Sequence, residues 1–69
     1  MWIDSFGERL KNLRQDRKLS LVELDSKIGV GKSIISLWEK YECEPTLSKL
    51  ILLSEFFGVS IDYFAGKEN

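Results

Sequence analysis

The chain has 69 residues and a mass of 8.0 kDa, room for a single domain over 1–69 without a separate sensing or catalytic unit. With 43% apolar and 30% charged residues, five glycines and one proline, its composition excludes a disordered, collagen-like or disulfide-framed protein. The net charge of −1 is unevenly spread: residues 1–35 hold seven Lys or Arg against five Asp or Glu, and residues 36–69 hold three against six, which makes the amino-terminal half the candidate anion-facing side.

Asp4, Glu8, Arg9, Lys11 and Arg14 leave no apolar leader at the start, and a cytoplasmic protein is expected. Phe6, Leu10 and Leu13 fall on one helical stripe, predicting a first helix over roughly Phe6–Arg17. Ser20 with Glu23 three residues on is a capping box, so a second helix is expected over Leu21–Ile28. Gly29-Val30-Gly31 then breaks the period, which resumes at Ile34, Ile35 and Trp38 as a third helix. Cys43, the one cysteine, has no internal disulfide partner and no neighbouring His or Cys, and reads as chemically inert. Pro45-Thr46 opens a fourth helix carrying Leu47, Leu50, Leu53 and Phe57 and closing at Gly58. Its run Leu50–Leu53 is far short of the roughly 20 apolar residues that cross a bilayer, so no membrane partner is expected. Ser60-Ile61-Asp62 starts a last short helix, Ile61–Ala65, before Gly66. The expected fold is all-α, a bundle of about five short helices.

Residues 21–40 thus form two short helices around a glycine turn, a helix-turn-helix whose second member fits the roughly 12 Å major groove of B-DNA. Leu24, Ile28, Val30, Ile35 and Trp38 supply the apolar positions where the two cross. The segments FGERLKNLR, LSLVELDSKIGV, ISLWEK, EPTLSKL and FGVSIDYFAG, in this order and spacing, resemble the Cro/repressor-type (Xre) helix-turn-helix family from Phe6 to Gly66.

The resemblance implies a phage-repressor-like fold and a sequence-specific regulator, a repressor holding a palindromic operator in double-stranded DNA as a homodimer. Gly31, Lys32, Ser33, Ser36 and Leu37 map onto the base-facing positions. Lysine donates to guanine or phosphate, serine bonds base or backbone, and leucine packs on a thymine methyl or sugar. Lys11, Arg17, Lys18, Lys40 and the position of Leu21 map onto backbone contacts. Arg14 and Glu39 match a family ion pair and read as structural. Any one of these lysines also reads as an ordinary solvated charge.

The sequence departs from the family pattern in three places. Leu21 replaces a phosphate-clamping glutamine; Asp25, expected to point outward to solvent or to meet Lys27, Lys32 or a backbone donor, replaces a small residue; and Tyr41-Glu42-Cys43-Glu44 replaces a glycine-led basic loop. The two acids repel phosphate, and Tyr41 falls where φ > 0 is common. Leu52, Phe56, Tyr63 and Phe64 are the candidate dimer contacts, and Trp2 and Ile3 are expected either to join such an apolar surface or to fold over helix four. The rival reading is an antirepressor- or antitoxin-like protein-interaction module that uses Leu21, Val22, Leu37 and the helix-four face. Gly29-Val30-Gly31-Lys32-Ser33 fails the P-loop pattern for want of the earlier glycine and a preceding strand. Without histidine, and with carboxylates scattered over solvated faces, no enzyme, cofactor, metal or small-molecule ligand is expected.

Overall fold

The computed structural model describes residues 2–67, and among these every regular element is a helix: α1 Trp2–Asp16, α2 Leu21–Ile28, α3 Lys32–Glu39, α4 Leu47–Phe57 and α5 Ile61–Ala65. Ser20, Thr46 and Ser60 start α2, α4 and α5 by accepting the backbone N–H of the third helical residue, Glu23, Lys49 and Tyr63. Gly29, Gly58 and Gly66 end the same three helices in the left-handed conformation that costs glycine little.

The first helix begins at Trp2, a turn before the expected Phe6, and stops at Asp16. Trp2 and Phe6 sit at i and i+4 with ring centroids 6.0 Å apart, so the extra turn is held by aromatic packing. Trp2 and Ile3 therefore belong to α1, which packs chiefly on α5 and α3, rather than to a tail laid over α4.

Phe6, Leu10, Leu24, Ile28, Ile35, Trp38, Leu53, Phe57 and Phe64 form the core, with Val30 and Leu13 packed partly against it. Phe6 is its hub: the rings of Trp38 and Phe64 lie 5.7 and 5.4 Å from it, both edge-on. The Phe64 assignment to a dimer surface is corrected here, because its ring is fully buried inside the protomer. Tyr63 lies half-buried under the Arg9 guanidinium, 4.4 Å from its centroid, and Leu52 and Phe56 are half-buried on α4.

Gly7 sets how closely α1 approaches α3. A Cβ there would lie 2.4 Å from the Trp38 carbonyl oxygen and 2.7 Å from the Tyr41 ring. Tyr41 keeps the left-handed backbone, φ 64°, which lays its ring over Gly7 although the residue is 47% exposed.

Candidate nucleic-acid interface

The turn between α2 and α3 is tied by backbone and side chain together. Gly29 N–H donates to the Asp25 carbonyl at 2.7 Å, and Gly31 N–H donates to Asp25 Oδ1 at 2.6 Å. Of the options open to an outward Asp25, namely solvent, Lys27, Lys32 or a backbone donor, it takes a backbone donor. Its carboxylate is half-buried and spans the turn, and a small residue at this position has no oxygen to offer Gly31. The φ of 101° at Gly31 reserves that position for glycine.

The far end of α3 is held by Arg14. Its Nε and Nη2 donate to Glu39 Oε2 and Oε1 at 2.7 and 2.9 Å, and its Nη1 donates to the Leu19 carbonyl at 2.8 Å. The side chains are only 12% and 8% exposed, so the bidentate pair works largely out of water. Hydrogen bonding to Glu39 raises the Arg14 pKa above its ordinary value, outweighing the opposing effect of burial. One guanidinium thereby joins the end of α1, the α1–α2 turn and the end of α3.

Between these anchors Ile35 and Trp38 face inward, while Lys32, Ser33, Ser36 and Leu37 lie on the opposite side of α3. Together with Leu21 from the first turn of α2, these four line an open pocket of about 360 Å³. Five residues anticipated as DNA contacts are thus gathered at one place, and none of them carries a negative charge. Gly31 serves as the N-cap of α3 and is absent from the pocket wall.

The anticipated backbone contacts divide. Lys11, Arg17, Lys18 and Lys40 are all exposed, but only the Arg17 side chain bonds to the protein's own backbone among the described residues. Arg17 turns to the carboxyl end of α4, where Nη1 and Nη2 donate to the Phe56 and Phe57 carbonyls at 3.4 and 3.2 Å and the guanidinium sits 5.2 and 5.0 Å from the two ring centroids. Arg17 is thereby engaged as a cap on α4, because the helix-end carbonyls and two ring faces lie within its reach. No spacing in the sequence links Arg17 to residues 39 and 40 positions away. Glu42 and Glu44 are exposed beyond Tyr41.

A Helix-turn-helix family profile matches residues 10–64, most of the chain. The chain belongs to this helix-turn-helix family. The uncharacterized HTH-type transcriptional regulator YobD of Bacillus subtilis is 39% identical over 61 residues, 88% of this chain and 54% of that protein. Repressor protein C2 of Salmonella phage P22 is 37% identical over 57 residues, 83% of this chain and 26% of its own. The crystal structure of an HTH_3 family transcriptional regulator from Vibrio cholerae superposes with a TM-score of 0.83 at 29% identity, over 99% of this chain and 38% of that one. The helix-turn-helix chain thus spans about half the length of YobD and less of the other two. These relatives are named as regulators and repressors rather than as enzymes. Among the described residues no group of three His, Cys, Asp or Glu is placed to hold a metal, and no helix is long and apolar enough to cross a membrane.

Proposed function

We propose that this helix-turn-helix domain is the DNA-reading part of a cytoplasmic transcriptional repressor. The observation that carries the reading is the convergence of Leu21, Lys32, Ser33, Ser36 and Leu37 on one open, acid-free face of α3. Lys32 donates to a guanine edge or phosphate, Ser33 and Ser36 bond base or backbone, and Gly31 lets the chain approach closely at the tip of α3. Lys11, Lys18 and Lys40 meet phosphates, each steepening the fall of log affinity with log salt by about 0.9. A homodimer joined through Leu52, Phe56 and Tyr63 sets two α3 helices about 34–36 Å apart on a palindromic operator.

A second reading, a protein-binding module, is favoured by one observation: Val22, Leu47 and Ile51 are 58, 65 and 42% exposed. Fluorescence anisotropy with a labelled duplex selected by the native chain from a random pool, titrated across salt for the native chain and Lys32→Ala, separates the two. The first reading expects steep salt dependence and roughly tenfold or greater weakening of the selected site by Lys32→Ala, on the order of 1–3 kcal/mol. Equal affinity of the two chains at low salt defeats it. A sedimentation mass of one protomer on and off DNA removes the dimer.

A further inference from the structure

The α3 pocket is walled at two positions by leucine, although a face that only meets phosphate needs no apolar wall. Leu37 stands on the outer side of α3 and is half-buried, and Leu21, likewise half-buried, projects from α2 into the same space. Lys32 is the one ionisable side chain on the pocket wall, and the Ser33 and Ser36 hydroxyls complete it. A cation and two hydroxyls beside two leucines suit a polyanion that presents polar edges and one small apolar group side by side. In the major groove only thymine offers such a group, its C5-methyl; the other three bases present donors and acceptors alone.

We infer that Leu21 and Leu37 together form a receptor for a thymine methyl, and so determine specificity at one position of the bound site. The inference rests on the DNA-reading proposal and deepens it. Leu37 follows Lys32 by five residues, about 7.5 Å along the helix at 1.5 Å per residue. That is on the order of two base steps of 3.4 Å, so the thymine lies within about two steps of the base pair that Lys32 meets. Removing the methyl exposes apolar surface on both leucines, and one buried carbon of this kind corresponds to about a fourfold change in affinity.

The test starts from duplexes selected by the native chain from a random pool, in which each thymine is replaced singly by deoxyuridine. This deletes the methyl and leaves every base-pair hydrogen bond in place. Native protein is expected to lose about fourfold at one thymine per half-site, within about two steps of a guanine whose contact is lost in Lys32→Ala. Leu37→Ala is expected to bind the thymine and deoxyuridine duplexes equally. If deoxyuridine is neutral at every position while binding stays steeply salt-dependent, the methyl receptor is refuted and the DNA-reading proposal stands. Absence of salt-dependent binding to any duplex overturns both. The deoxyuridine series needs no protein variant, so a Leu37→Ala chain that folds poorly does not protect the inference.

Discussion

The stretch from α1 through the α1–α2 turn, and the side where α3 faces solvent, use positive charge in opposite ways. On the first, arginine is spent on the protein's own groups: Arg9 lies over Tyr63, Arg14 grips Glu39 and Leu19, and the exposed Arg17 closes α4. On the second, Lys32 at the start of α3 and Lys40 just past its end are exposed to solvent. A planar guanidinium can stack on a ring and donate to two acceptors at once, whereas an ammonium on a flexible stem keeps its hydration until an anion arrives. The amino-terminal half is rich in basic residues, but its arginines build the platform and only its lysines remain for a partner. Net charge therefore overstates how much of that half is free for a partner.

The largest test of this contrast is Glu39→Ala, which leaves Arg14 as a mostly buried cation with no acid beside it. Denaturant titration is expected to show a loss of about 3–5 kcal/mol, a large share of the stability of so small a domain. The paired change Arg14→Met with Glu39→Leu should recover most of it. Next is Gly7→Ala, which forces α1 away from the Trp38 carbonyl and the Tyr41 ring. About 1–3 kcal/mol is expected, read as a fall in Tm of roughly 4–8 °C per kcal/mol.

Smaller, and aimed at the contrast itself, is the pair Arg17→Ala and Lys11→Ala. The arginine change should cost about 0.5–1 kcal/mol of stability and leave the salt slope of DNA binding unaltered. The lysine change should leave stability alone and reduce the slope by about 0.9. The opposite pattern would return Arg17 to the interface.

The smallest effect concerns Glu23, whose carboxyl is held below its ordinary range first by the Ser20 N–H hydrogen bond. Its folded pKa lies below the unfolded one, so its contribution is complete above the ordinary carboxylate value and is lost as pH falls through the lowered one. Denaturation midpoints measured from neutral into acid should decline less steeply in Glu23→Gln, which keeps a hydrogen-bonding amide in the capping box but does not titrate.

Much of the geometry of the candidate interface was readable in advance because it depends on local rules. Ser20 with Glu23 starts α2 wherever that helix sits, the glycines at 29 and 31 take positive backbone angles that cost glycine least, and helical spacing alone puts Lys32, Ser36 and Leu37 on the side away from Trp38. Two features were not readable: Arg17 closing a helix some forty residues away and Phe64 entering the core. Gly7 did carry a signal, since a glycine amid good helix formers marks a close approach.

By itself the sequence determined the helices, their caps, the glycine turn and the outward residues of α3, because each follows from bonds and spacings within a turn or two of chain. Only the tertiary structure decided which cations are consumed by the protein, which aromatic ring fills the core and that Leu21 meets Leu37 across a gap. Those outcomes depend on which carbonyls, rings and side chains distant segments bring within reach, and no local pattern encodes that distance.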